Sequence, residues 1–246
     1  MMIAFIIKAS RIILGVCLII SVILITGLSA AETDYSFGPA ENDHFFENWK
    51  PVHFRSIKSY TTYEIVHENG HPVLKAISES SASGISRMVT IDPVEYPYVS
   101  WKWKITGYLP EGEADDCPAR MYLYFRISEN DRGFFDRMRD AAMSFYSDNP
   151  PDFGICYIWS NKREAKETAI KSSVTERIGI VVIENRNSSQ NIWVAESRNI
   201  LLDFVEIFGE NPPIISGIAF MTDTDDTTSK TVSFYGNVVF SSGTNK

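Results

Sequence analysis

Histidine and cysteine are both scarce in this chain of 246 residues, which has four of the first and three of the second. His44, His53, His67 and His71 all lie in the first third of the sequence, so nothing downstream carries a local histidine to serve as a general base. No G-x-S-x-G elbow marks a serine nucleophile, neither Cys117 nor Cys156 sits in a thiol-enzyme signature, and no glycine-rich phosphate loop is present. Positive charge is also in deficit. The 23 Lys and Arg stand against 31 Asp and Glu, for a net charge of −8. Binding to nucleic acid or anionic lipid depends on cationic side chains displacing counterions, so both are excluded as partners and a neutral or cationic one fits better. Internal repeats, low-complexity tracts and linkers are missing too, which leaves one domain after the leader.

That leader is the clearest positive feature. Ile12 to Leu28 is almost wholly apolar, follows Lys8 and Arg11, and ends in the small residues Ser29, Ala30 and Ala31. This is the three-part pattern of a secretory signal, with cleavage after Ala30 or Ala31. An uncleaved N-terminal anchor is the alternative, because the apolar stretch is at the lower limit for crossing a bilayer. Cys17 lies inside the apolar run behind Val16, where lipid attachment would need a small residue. The expectation is residues 1–31 as signal peptide or anchor and 32–246 as one exported domain. That domain would be periplasmic or held at the outer face of the inner membrane, touching the membrane through its leader alone. In an oxidising compartment the remaining pair, Cys117 and Cys156, has the right count for one disulfide.

Beyond the leader the chain alternates, or runs apolar for five to ten residues, between turn signals, which is strand patterning. Ten strands are predicted, over 61–67, 72–77, 84–91, 98–106, 120–128, 153–160, 178–184, 192–198, 214–222 and 231–240. Two segments carry helical period. Phe134, Phe135, Met138, Ala141, Ala142 and Phe145 give an amphipathic helix over 131–147. Ile200 to Phe208 is framed by a capping Asn199, by Gly209 and by Pro212-Pro213. The fold expected is mainly β, an antiparallel two-sheet sandwich of jelly-roll type with two short helices in connections. Ile178 to Ile183 is apolar on both faces and is predicted to be a central strand, covered on each side.

His67-Glu-Asn-Gly-His71 matches H-E-x-x-H, but zinc-protease chemistry needs that string on a helix, and Asn69-Gly70 followed by Pro72 is a hairpin turn. Asp223, Asp225 and Asp226 follow one strand while Asp115 and Asp116 precede another, so two acidic loops can meet at one end of the sandwich. Calcium is the one cation such donors would suit, although the EF-hand offsets are absent and no cofactor is otherwise expected. Side chains alternate along a strand, so Arg120, Tyr122, Tyr124 and Arg126 share one face while Met121, Leu123, Phe125 and Ile127 line the core. The first row consists of groups that stack on and hydrogen-bond to hydroxylated ligands, unless the arginines simply pair with carboxylates. Tyr157 and Trp159 are placed beside it, with Asn161 just beyond. Trp101 and Trp103 alternate with Val99 and Ile105 and read as core. Asn187-Ser188-Ser189 fits a glycosylation sequon, which matters only in a eukaryotic source.

The order Trp101-Lys-Trp103, Asp115-Asp116 with Ala119-Arg120, Tyr157-Ile-Trp159-Ser160-Asn161, Arg177, Phe208-Gly209-Glu210-Asn-Pro212-Pro213 and Met221-Thr-Asp223-Thr-Asp225 resembles the bacterial domain of unknown function 3047. The likeness runs from about Trp101 to Phe240 and implies an exported bacterial protein with no assigned activity. Cys117-Pro118 inside the acidic loop, and Asp226, depart from that pattern. The reading that follows is a carbohydrate-binding module of the bacterial envelope for a saccharide or similar polar small molecule. Arg120, Tyr122, Tyr157, Trp159 and Asn161 supply stacking and hydrogen bonds, and Asp223 and Asp225 orient the ligand or a cation. The alternatives are a glycan hydrolase or lyase using a pair of carboxylates such as Asp116, Asp223 or Asp225, and a non-catalytic envelope assembly partner.

Overall fold

The computed structural model describes residues 34–54, 56–111, 116–128, 151–163, 166–171 and 176–243. The leader, Asp115 and the helix expected over 131–147 lie outside them. Among the described residues, fourteen strands form two sheets of seven. In chain order they are β1 (Tyr35–Phe37), β2 (Lys50–Val52), β3 (Thr62–Glu68), β4 (His71–Glu79), β5 (Ala82–Ile91), β6 (Tyr98–Ile105) and β7 (Ala119–Arg126). There follow β8 (Phe153–Trp159), β9 (Thr168–Lys171), β10 (Ile178–Glu184), β11 (Val194–Asn199), β12 (Ile214–Asp223), β13 (Lys230–Tyr235) and β14 (Val238–Ser241). The first sheet runs β1-β14-β6-β13-β4-β3 with β11 on the other side of β6, and the second runs β2-β5-β12-β7-β8-β10-β9. This is the predicted mainly β two-sheet sandwich, and all ten predicted strands are present. The last of them is broken at Gly236-Asn237 into β13 and β14.

The expected hairpin replaces the zinc helix. Asn69 and Gly70 have φ of 51° and 80°, the left-handed pair that a two-residue turn between twisted strands demands, and Glu68 stands opposite His71. One strand pair departs from the antiparallel expectation. β9 is short and forms the sheet edge, pairing with β10, which lies between it and β8 and runs parallel to β8. For the same reason β10 is second from an edge rather than central. Val181 and Ile183 face the core and Gly179 lies under Ile207, while Ile178 and Ile180 on the opposite face are half-buried and border a cavity.

Between the sheets the aromatic side chains interlock. Trp101 stands edge-on to Trp103 at 5.4 Å and 5.1 Å from Tyr157, and Trp103 lies 5.8 Å from Trp159. A segment without strand or long-helix signal, the 3-10 turn Pro39–His44 leading into α1 (Phe45–Asn48), packs onto the core. It does so by stacking Phe45 on Trp49 and Trp49 on Phe220. The helix α2 (Ile200–Phe208) has the predicted boundaries, with the Asn199 side chain accepting from the Leu202 amide at 3.1 Å and Gly209 at φ 78°. Replacing Asn199 with alanine orphans that amide and is expected to lower stability by about 1 kcal/mol, read as a lower urea midpoint.

Candidate functional site

The site is built on β7 and its neighbours. Met121, Leu123 and Phe125 point inward and are fully buried, while Arg120, Tyr122, Tyr124 and Arg126 point outward and are half-buried, as the alternation predicted. Tyr122 and Tyr124 stack at 5.7 Å with planes 23° apart. Across the sheet they stand opposite small residues, Ala219 and Gly217 on β12, and Gly154 lies beside Tyr124 on β8. Residues directly opposite one another share a face. The outer surface is therefore scooped out around the two rings. An open cavity of about 490 Å³ borders this hollow on the Tyr122 side, floored by Arg120, Tyr122, Cys156, Ile158 and Met221, with Asp223 and Asp225 at one end.

That end is where the two acidic loops meet. Oxygens of Asp116, Asp223 and Asp225 lie within 4.8 Å of one another. Asp223 closes β12 and is held from both sides: the Arg120 guanidinium is 3.0 Å from Oδ2, and the Cys117 amide donates to Oδ1 at 2.8 Å. Buried hydroxyls fix the strand beneath it, Thr222 with Tyr235 at 2.7 Å and Thr224 with Ser78 at 2.9 Å. Asp116 accepts from the Thr227 amide at 2.7 Å and from its hydroxyl at 2.5 Å. Asp225 is half-exposed at the cavity wall. As a calcium cage the group is ill suited. Six to eight oxygen donors are wanted, two of these three carboxylates are already engaged, and a guanidinium stands among them.

Burial pushes the Asp223 carboxyl up to about 7, with Asp116 and Asp225 adding to the rise and Arg120 and the Cys117 amide opposing it. Burial also raises Asp225, and it raises the Tyr122 and Tyr124 phenols, which remain hydrogen-bond donors at neutral pH. The Cys156 thiol is pushed up to about 12 and is uncharged. Cys156 and Cys117 are both buried and both line the cavity. The possible disulfide between them is not present in this arrangement: the register sets Cys156 opposite Tyr122 on β7, whereas Cys117 precedes that strand.

Of the residues singled out in the sequence, Arg120, Tyr122, Asp223 and Asp225 come together here, and three do not. In the β7–β8 register Ile158 stands opposite Arg120 and Tyr157 opposite Met121, so Tyr157 and Trp159 belong to the core face and are fully buried. Tyr157 donates to Asp203 at 2.8 Å and Trp159 to the Tyr108 hydroxyl at 3.2 Å. Asn161 ties two loops together, accepting from the Leu109 amide at 2.9 Å and donating to the Pro110 carbonyl at 3.0 Å. A step of one residue reverses the face of every side chain on a strand, which is how the wrong set was chosen. The side chains missed are Ile158, Cys156, Ile178, Ile180 and Met221. Their signal was the apolar character of both faces of β8 and β10.

A family described as "Protein of unknown function (DUF3047)" matches residues 47–239. No curated protein matches the sequence. Among solved structures, the family 30 carbohydrate-binding module of the cellulosomal cellulase Cel9D-Cel44B of Clostridium thermocellum is similar over 87% of this chain and 99% of its own, at 12% identity and a TM-score of 0.43. A family 11 carbohydrate-binding module from the same organism, in complex with a mixed-linked tetrasaccharide, covers 84% and 95% at 10% identity and a TM-score of 0.41. The endo-D glycoside hydrolase domain of Streptococcus pneumoniae R6 covers 80% of this chain, which spans only 22% of that domain's length, at 10% identity and a TM-score of 0.37. Likenesses this distant carry no argument about ligand or reaction.

Proposed function

The chain belongs to the DUF3047 family of proteins of unknown function, and from that premise, which assigns no chemistry, we propose that its sandwich is a binding module for a saccharide or similar polyhydroxylated small molecule, seated in the outer cavity of the second sheet. One observation carries the reading: the Arg120–Asp223 pair and the Tyr122 hydroxyl line an open cavity beside stacked tyrosine rings. A guanidinium, carboxylates and a phenol supply donors and acceptors at fixed positions, and the Tyr122 ring, backed by Tyr124, supplies the flat apolar surface on which the C–H face of a sugar rests. The apolar leader supports an exported, periplasmic or membrane-anchored setting.

Thermal unfolding of the full chain against neutral sugars, sugar acids and calcium, with and without chelator, tests this. A neutral sugar is expected to raise the melting temperature by mass action, and Asp225→Asn to weaken its binding about tenfold, about 1.4 kcal/mol. A panel in which no sugar shifts the transition would sink the proposal and turn attention to a protein partner in the envelope.

A second reading, glycoside hydrolysis, draws on the carboxyl at about 7 lying beside two further carboxylates, since a proton donor and a carboxylate are the pair that such chemistry needs. Both Asp223 oxygens are engaged by Arg120 and the Cys117 amide, which favours binding over turnover. Release of reducing ends from an oligosaccharide of the sugar that binds, abolished by Asp223→Asn, would reverse that preference.

A further inference from the structure

An antiparallel sheet with one face on the core usually presents polar side chains on the other. On the second sheet the outward row of Arg120, Tyr122, Tyr124 and Arg126 is instead flanked by apolar side chains. Ile158, Ile178, Ile180 and Met221 line the outer cavity, and its polar groups gather at the Asp223 end. Away from that end, a second cavity of about 140 Å³ lies against the first. The two share Phe54, Tyr122, Ile178 and Met221 as walls. The second is completed by Val52, Tyr124, Phe220 and the small residues Gly84 and Ala219, with no charged side chain among them. Gly84 forms part of the floor, where a Cβ would meet the Phe220 carbonyl oxygen at 3.1 Å.

We infer that the ligand is an amphiphile, a sugar or polyol head carrying an alkyl or acyl chain, with the head at Arg120, Asp223 and Asp225 and the chain in the cavity floored by Gly84 and Ala219. The inference rests on the saccharide reading and adds the chemical class to it. The complementarity is one of polarity along a single trough. Charged groups occur at one end alone, so a fully hydroxylated ligand would strand its far end against hydrocarbon. A fully apolar ligand would bury the Arg120–Asp223 pair without offering it a hydrogen bond. Each methylene moved from water into the second cavity adds affinity, several-fold for full burial.

Titration calorimetry of the full chain with methyl β-D-glucoside, hexyl β-D-glucoside below its micellar concentration, and hexan-1-ol tests both layers. The hexyl glucoside is expected to bind at least tenfold more tightly than the methyl. Ala219→Trp, which fills the second cavity, is expected to bring that ratio within about twofold. Phe54→Ser, at a wall residue that is 37% exposed, should also shrink the ratio and serves if the tryptophan variant does not fold. Adsorption to the apolar leader is common to all variants and cancels from the comparison. Equal affinity for the two glucosides, or a ratio unchanged in the variants, overturns the chain site and leaves the saccharide reading standing. Binding of hexan-1-ol with neither glucoside overturns the head, and with it both proposals, as does the failure of all three to bind.

Discussion

Arg120→Met is expected to cost the fold about 3–5 kcal/mol at about pH 8.5 and roughly 2 kcal/mol less at about pH 6. The first figure is the usual consequence of removing one partner from a buried ion pair, because the partner left behind keeps its desolvation cost and loses its attraction. Arg120 and Asp223 are a pair of this kind, 3.0 Å apart with side chains 13% and 7% exposed. The pH dependence follows from the carboxyl. An Asp whose pKa is raised to about 7 in the fold retains a proton, between its ordinary range near 4 and pH 7, that the unfolded chain has released. Its contribution to stability is therefore fully present below about pH 4 and lost as the pH rises through about 7. Below pH 7 Asp223 is neutral in the native protein, and losing the guanidinium matters less. Above pH 7 the native protein holds the charge against Arg120. The variant must either hold it alone or keep the proton, at about 1.4 kcal/mol per pH unit. Urea midpoints across pH 5–9 measure this. Adding Asp223→Asn to the variant should recover most of the alkaline loss, since the amide still accepts from Cys117 and carries no charge. A cost equal at all pH values, with no recovery in the double variant, would mean that the pair is not coupled as described.

Patterns that need only local counting were legible in the sequence. Alternation located ten strands, Asn69-Gly70 located a hairpin, and Asn199 with Gly209 located both ends of α2. The acidic loops before β7 and after β12 were read as able to meet at one end, and Asp116 does lie with Asp223 and Asp225, because β7 and β12 pair side by side. Three- and four-residue strands were not legible. β1, β2 and β9 are too short to show a period, and they exist because longer neighbours offer them a pairing edge. Cross-strand register was beyond reach for a related reason. Alternation states which residues of one strand share a face, but nothing in it states which face of β8 joins which face of β7. With Tyr157 and Trp159 on one side and Cys156 and Ile158 on the other, both faces of β8 are apolar enough to be core. Aromatic side chains were taken as ligand platforms, whereas the larger rings went to fill the space between sheets and the aliphatic ones were left for the cavity.

The same assignment makes the second large prediction. Trp159→Ala is expected to destabilise the protein by about 3–5 kcal/mol, the range for emptying a fully buried aromatic site. The Trp159 ring is wholly excluded from solvent against Trp103, and its indole N–H donates to Tyr108, whose single hydroxyl proton is shared between the Asn185 carbonyl at 2.6 Å and the Ser188 carbonyl at 2.8 Å. Loss of the indole thus leaves a void beside Trp103 in the tryptophan cluster and removes one of the bonds that fix the loop after β10. Neighbouring rings are themselves enclosed on both sheets, so collapse into the void is limited and the upper part of the range applies. Trp159→Phe keeps most of the volume and should cost about half as much, while sugar affinity, set in the cavity on the other face of β8, stays within about twofold. Chemical unfolding and sugar titration on the same two variants separate the roles. Stability lost with affinity kept confirms a core side chain. Stability kept with affinity lost would place the ring at the ligand and reverse the register on which the cavity is built.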